Sequence, residues 1–269
     1  MYLKVTAKSQ SLRRAADFHV ILPFHDGYPD ADRPYPTLYF LTGYSGSAEE
    51  LIFTLPLRQM ACLYGIAIVL PDGENLFYTD HPERATCMGE YAGDELIRIT
   101  RKLFPCLSGK REETFLGGIS MGGYGAIALG LHYRETFSKL ALFSPAAEPD
   151  RLLSGEKDDI PGAVPSCLLE TLLGGKEAYD GSERLNPLQA VEALTARGEA
   201  LPKIWMCCGE QDLLVGDSCR RFREALLRAG AEPAWEGGPG DHDLIYWDRH
   251  LESAFRFLAD KGEGSPRDV

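Results

Sequence analysis

The chain has 269 residues, 44% hydrophobic and 25% charged, the proportions of an ordinary globule with room for one large α/β unit or two small ones. Against 28 basic residues stand 40 acidic ones, a net charge of −12 without any stripe rich in Lys or Arg. That balance argues against nucleic acid or an anionic membrane as partner and fits an enzyme acting on neutral or weakly charged small molecules.

No apolar run approaches the roughly 18–20 residues that span a bilayer, and the N-terminal stretch from Met1 to Lys8 lacks the basic and apolar regions of a secretory leader. Seven cysteines (Cys62, Cys87, Cys106, Cys167, Cys207, Cys208, Cys219) are scattered, odd in number and free of Cys-x-x-Cys spacing. They read as reduced, mostly buried thiols of a cytoplasmic protein rather than a zinc site.

In chain order, Tyr2 to Ala7 and Phe18 to Leu22 alternate like an antiparallel pair at a sheet edge. Pro23 to Pro36 is loop, Thr37 to Leu41 a short apolar strand, and the turn from Thr42 to Ser47 leads into a helix over Glu49 to Met60. Ile66 to Leu70 is a buried strand, Glu74 to Glu90 a long surface loop, and Tyr91 to Phe104 has helical periodicity. Thr114 to Leu116 is a strand, Tyr124 to Leu131 a helix, and Leu140 to Phe143 a strand running into Ser144 and Pro145. From Ala146 to about Leu201 prolines punctuate two short helical pieces, near Leu168–Leu173 and Leu188–Leu194. Too few apolar residues lie there for a separate core, so the segment reads as an insertion over the active-site edge. Lys203 to Cys208 resumes the sheet, Asp217 to Ala229 is an amphipathic helix, Pro233 to Glu236 a last strand and Leu244 to Ala259 the final helix. Alternating strands and helices imply a mostly parallel twisted sheet with an antiparallel N-terminal edge and helices on both faces. The expectation is a single α/β domain over 1–260, with an insertion at about 146–201 and a tail at 261–269.

Within it, Gly118-Ile119-Ser120-Met121-Gly122 sits between strand and helix. A strand that turns sharply into a helix exposes an apical serine on a strained backbone, and the flanking glycines let the two elements pack closely. The plainer explanation of the same residues is a tight turn with a serine helix cap. As a nucleophile, serine needs an adjacent base oriented by an acid. In an α/β-hydrolase these follow in the order Ser, acid, His, on loops at the carboxyl ends of strands. The exit loop of the Lys203–Cys208 strand offers Asp212 as the acid, with Glu210 as fallback, though Asp212 also reads as a solvated or capping residue. Of six histidines (His19, His25, His81, His132, His242, His250), His242 alone sits on a glycine-rich loop between a strand and the terminal helix. An oxyanion hole then takes the Met121 N–H and, from the loop after Thr37–Leu41, the Tyr44 N–H, with Gly43 permitting the turn.

The stretches from Phe18 to Pro23, Leu41 to Gly46, Pro71 to Asp80, Gly117 to Gly125, Cys208 to Asp212 and Gly240 to Trp247 resemble the esterase family of α/β-hydrolases. That family includes esterase D/S-formylglutathione hydrolases, feruloyl and acetylxylan esterases and mycolyltransferases. Within it, the likeness is strongest to small bacterial tributyrin esterases. The resemblance implies the α/β-hydrolase fold, a triad of Ser120, Asp212 and His242, and hydrolysis of short acyl esters through an acyl-enzyme without cofactor or metal. It also suggests the segment from Phe77 to Asp80 as pocket-flanking, with Gly43, Tyr78 and His81 as substrate contacts. One departure is visible: the family usually carries His-Gly at the oxyanion loop, and here Thr42-Gly43 stands in its place.

The expected function is therefore that of a cytoplasmic serine carboxylesterase acting on a small-molecule ester of acetyl or butyryl type, carried on a sugar or an aromatic acid. A homodimer is the base-rate expectation. Alternatives are an acyltransferase using the same triad, an S-formylglutathione hydrolase, and an inactive hydrolase fold used as a binding module.

Overall fold

A computed structural model describes residues 1–24, 34–149, 159–160 and 162–260. His25, part of the 146–201 segment and the tail at 261–269 lie outside them.

Strands β1 (Tyr2–Lys8), β2 (Ala15–Ile21), β3 (Thr37–Leu41) and β4 (Ala67–Pro71) form the first half of the main sheet. The order of its eight strands is β1-β2-β4-β3-β7-β8-β9-β10, with β7 (Thr114–Ile119), β8 (Lys139–Phe143), β9 (Lys203–Gly209) and β10 (Ala234–Gly238) completing it. The β1–β2 and β2–β4 pairs are antiparallel, and every other pair is parallel. This is the mostly parallel sheet the alternation predicts and the α/β-hydrolase arrangement the resemblance implies. Strands β3, β4, β7 and β8 are buried throughout because both faces of a parallel sheet are covered. Successive residues serve opposite layers: Tyr39, Leu41, Leu116 and Leu142 join one apolar cluster, and Leu38, Phe40, Phe115 and Phe143 the other.

Three expectations change in the first half. The helix expected over Glu49 to Met60 is two, α1 (Ala48–Thr54) and α2 (Leu57–Tyr64), split at Pro56, which has no N–H to continue the first. The stretch from Glu74 to Glu90 is no surface loop, since Phe77, Tyr78, Thr79 and Met88 are buried. Left-handed residues Glu74, Asn75, Phe77 and Tyr78 fold it inward, and a two-stranded ribbon of β5 (Asp80–His81) and β6 (Thr86–Cys87) closes it. After α3 (Met88–Glu90), a π-helical turn over Tyr91–Glu95 precedes α4 (Leu96–Leu103). The π turn aims Glu95 inward, where its carboxylate accepts from Ser9 Oγ at 2.6 Å, Gln10 N at 2.7 Å and Ser11 N at 3.1 Å.

Helix α5 (Met121–His132) lies against the sheet with Gly122 close to Leu41 and Gly130 close to Leu140, and its Tyr124, Ala126 and Ile127 enter the first apolar cluster. Between β8 and β9 come α6 (Ser166–Leu173), α7 (Gly175–Asp180) and α8 (Pro187–Ala196), of which α7 has no counterpart in the sequence reading. Leu169, Leu172, Tyr179, Val191 and Leu194 enter the same apolar cluster as α5, so these helices share the sheet's core. Helix α9 (Gly216–Arg228) covers that face too, while α10 (Leu244–Ala259) packs with α1 and α2 on the other. The cysteines are less buried than expected: Cys207, Cys208 and Cys219 are enclosed, Cys62, Cys87 and Cys106 half-buried, and Cys167 exposed.

Candidate active site

The site lies where β7 ends. Ser120 follows Ile119 with φ 56° and ψ −113°, a left-handed conformation that a residue with a Cβ adopts only when its surroundings enforce it. Two glycines make the turn possible. A Cβ at Gly118 would lie 2.4 Å from the Gly122 carbonyl oxygen, and one at Gly122 would lie 2.2 Å from the Leu41 carbonyl oxygen. The apex is anchored to the next strand, since Ser120 N donates to Phe143 O at 2.9 Å.

Two loops bring side chains to Ser120. Asp212, on the exit of β9, is 5% exposed, and its Oδ1 accepts from Leu214 N at 3.1 Å and Val215 N at 2.9 Å. Its Oδ2 lies 2.7 Å from His242 Nδ1, and His242 Nε2 lies 2.9 Å from Ser120 Oγ. An ionised carboxylate only accepts, so Nδ1 carries the imidazole proton and Nε2 is left to accept from the serine hydroxyl. Burial alone would push the Asp212 carboxyl up. The His242 hydrogen bond and charge, the Val215 N–H and the Ser144 hydroxyl outweigh it and hold the group below its ordinary value.

Gln211 ties the two loops together, a role with no sequence signal. Its N–H donates to Gly240 O at 3.0 Å, and its side-chain oxygen accepts from Gly240 N at 2.7 Å. Helix α10 begins directly after His242, with the Asp243 side chain accepting from Tyr246 N at 2.8 Å. Glu210, the fallback acid, is exposed.

The loop after β3 borders Ser120: a Cβ on Gly43 would sit 3.4 Å from Ile119 O and 3.6 Å from Ser120 Cβ. Met121 opens α5, and a first-turn N–H has no acceptor within its own helix. Tyr44 and Gly43 line a cleft of about 510 Å³ together with Ser120, His242, Phe77, Leu214 and Trp247. Among its described lining residues are the carboxylates of Glu50, Asp241 and Asp243 and no Lys or Arg.

Tyr78 and His81, expected as substrate contacts, lie elsewhere. Tyr78 is 3% exposed and packed under the loop, its hydroxyl donating to Thr42 O at 3.1 Å and lying 3.3 Å from Thr42 Oγ1. Thr42 Oγ1 also accepts from Gly73 N at 3.0 Å. Tyr78 is thus a prop for the loop, made necessary because a buried threonine carbonyl and hydroxyl need partners. His81 sits in the ribbon, Nε2 3.0 Å from Thr79 Oγ1 and Nδ1 3.3 Å from Glu83, outside the residues that line the cleft. The other described histidines are bonded or packed elsewhere, His19 to Tyr2, His132 against Tyr133 and His250 to Glu236.

Residues 9–258 match the family described as "Putative esterase". An acetyl esterase of Caldicellulosiruptor saccharolyticus is 34% identical over 83% of this chain and 83% of its own length. The substrate-bound fluorophosphonate-binding serine hydrolase FphF of Staphylococcus aureus superposes with TM-score 0.83 at 25% identity, covering 97% of this chain and 99% of that one. An S-formylglutathione hydrolase of Staphylococcus aureus follows with TM-score 0.81 at 25% identity over 97% and 99%. The elbow, the fold and these likenesses agree: the chain belongs to this esterase family of α/β-hydrolases and is a serine carboxylesterase.

Proposed function

We propose that Ser120, His242 and Asp212 form the catalytic triad of an esterase acting on short-chain acyl esters. Ser120 Oγ attacks the ester carbonyl while His242 Nε2 takes its proton, and Asp212 keeps the imidazole in the required tautomer and stabilises the imidazolium. The negative oxygen that develops is held by the Met121 and Tyr44 N–H groups, each such donor being worth about 3–4 kcal/mol of barrier. His242 then protonates the departing alcohol, and water activated by the same imidazole releases the acid. No step calls for a cofactor. The observation that carries this reading is the continuous chain of contacts, 2.7 Å from Asp212 to His242 and 2.9 Å from His242 to Ser120. The acetyl esterase relative supports a small acyl group. The working unit is a single domain in the cytoplasm, acting alone or as a homodimer on a free small molecule rather than on a membrane or nucleic acid.

The test is kinetic. Ser120→Ala is expected to lower kcat by about five to six orders of magnitude and to abolish labelling by a fluorophosphonate probe. Undiminished esterase activity in that variant overturns the triad. A nitrophenyl ester series is expected to peak at two to about four acyl carbons and fall beyond; preference for long chains overturns the short-acyl assignment. Adding an alcohol acceptor separates hydrolysis from acyl transfer by product partitioning.

A second reading, S-formylglutathione hydrolysis, is favoured by the structural likeness to such an enzyme. Against it stands the described lining of the cleft, with three carboxylates and no cation to meet the two carboxylates of glutathione. kcat/KM for a neutral acetyl ester should therefore exceed that for S-formylglutathione; the reverse order selects the second reading.

A further inference from the structure

Strand β8 leaves the sheet beside the elbow, and its next residue is Ser144, fully buried with φ 40°. A left-handed backbone strains any residue with a Cβ, so glycine is the relaxed choice there and a retained side chain calls for a reason. The side chain supplies it: Ser144 Oγ accepts the indole N–H of Trp247 at 3.1 Å, in a buried pair. The Ser144 hydroxyl also helps hold the Asp212 carboxyl below its ordinary value, beside the His242 and Val215 bonds. Cys208 Sγ lies 3.6 Å from Asp212 Oδ2. Trp247 meanwhile stands perpendicular to the His242 ring, centroids 5.1 Å apart at 88°. Ser144 itself is fixed to β9 through its N–H, which donates to Cys207 O at 2.8 Å.

We propose that Ser144 and Trp247 form a buried tether that holds His242 in register with Asp212 and Ser120, Ser144 by fixing the indole and Trp247 by standing edge-on against the imidazole. Rotation of the imidazole would break the Nδ1 contact with Asp212 and swing Nε2 off Ser120 Oγ, so a fixed ring is a condition for a productive base. Both act through the triad and are positioning residues, and the proposal rests on the triad reading above. It assigns a purpose to a strained serine that the reaction itself does not use.

Two variants separate positioning from plain structure. Ser144→Gly removes the hydroxyl and the backbone strain together, so its melting temperature is expected to hold or rise. Trp247→Phe keeps an aromatic ring beside His242 and deletes the N–H donor. In each, kcat for a nitrophenyl ester and the rate of fluorophosphonate labelling are expected to fall about three- to tenfold with KM unchanged, the scale of one net hydrogen bond. The double variant should lose no more than the worse single one, because both act through one connection. Wild-type kcat in both single variants, or losses that multiply in the double, overturns the tether. If Trp247→Phe fails to fold, Ser144→Gly carries the test alone. Ser120→Ala is measured alongside: if it stays active, the triad reading and the tether both fall. If it is inactive while the two variants match wild type, the tether alone falls.

Discussion

Asp212→Asn is the sharpest single perturbation of the site, because it changes one atom and leaves volume and burial as they are. The asparagine side-chain oxygen can keep accepting from Leu214 N and Val215 N, the two bonds that fix Oδ1 at 3.1 and 2.9 Å. That choice turns the NH₂ group toward His242 Nδ1, where the carboxylate oxygen stood at 2.7 Å. A donor now faces Nδ1, so Nδ1 becomes the acceptor and the proton moves to Nε2. Nε2, 2.9 Å from Ser120 Oγ, then offers a proton where it should take one. The wrong tautomer costs a serine triad about 10⁴ in kcat, or roughly 5 kcal/mol at about 1.4 kcal/mol per decade. Steady-state kinetics on a nitrophenyl ester should show that loss with little change in KM, and fluorophosphonate labelling should slow in parallel. The same change acts on stability. The carboxyl is held below its ordinary value of 3.8, so its ionised form stabilises the fold above that value, and the contribution is lost as pH falls through the folded pKa. The stability gap between wild type and Asp212→Asn should accordingly narrow in acid. A variant within tenfold of wild-type kcat refutes the reasoning, and loss of activity in Glu210→Gln instead would move the acid to the exposed neighbour.

Three further outcomes test the scaffold around the triad. Glu95→Gln is expected to lower unfolding free energy by about 1–3 kcal/mol, because three donors, the Ser9 hydroxyl among them buried, face an amide in place of a carboxylate. Burial, which alone would raise it, is outweighed at Glu95 by the Ser9 and backbone N–H bonds, so its stabilisation is present above its ordinary 4.5 and fades as pH falls through the lower folded value. Denaturant melts at neutral pH and near pH 3 should show the gap closing. Gly122→Ala puts a methyl 2.2 Å from the Leu41 carbonyl, and the expected result is loss of soluble protein or of probe labelling; a folded, fully active variant contradicts the elbow. Tyr78→Phe leaves the Thr42 carbonyl without its buried partner and should cost about 1–3 kcal/mol in a thermal or chemical melt, with kcat lowered more than KM is raised.

What the sequence discloses, and what it hides, divides along a physical line. The elbow is legible because its steric demand is local: strand, apex and helix are contiguous, and the two glycines that relieve the collision lie two residues either side of Ser120. The order acid then base, and a glycine-rich loop ahead of α10, likewise follow from topology. Sheet strands are legible because continuous apolar runs have few other uses. The segment from Glu74 to Glu90 is not, since its polar and turn residues suggest exposure, whereas Phe77 and Tyr78 are drawn in by contacts distant in sequence. Gln211 and Ser144 are hidden for the same reason: each is an ordinary polar residue whose partner becomes a neighbour only once the chain has folded.

The loop after β3, proposed above to hold the oxyanion, joins both halves of that division. Where the wider family carries His-Gly, this chain carries Thr42-Gly43, and a threonine cannot span the distance an imidazole covers. The loop is held from below: Tyr78 bonds the Thr42 carbonyl at 3.1 Å, Gly73 N bonds its hydroxyl at 3.0 Å, and Asn75 Oδ1 takes the Ser45 N–H at 2.7 Å. All three come from the one inward-folded stretch that begins after β4 and carries four left-handed residues between Glu74 and Tyr78. Strain of that density persists only where surrounding contacts enforce it. The threonine at position 42 is therefore held by a strained, buried prop beneath it, and the loss expected in Tyr78→Phe measures how far the loop depends on that prop.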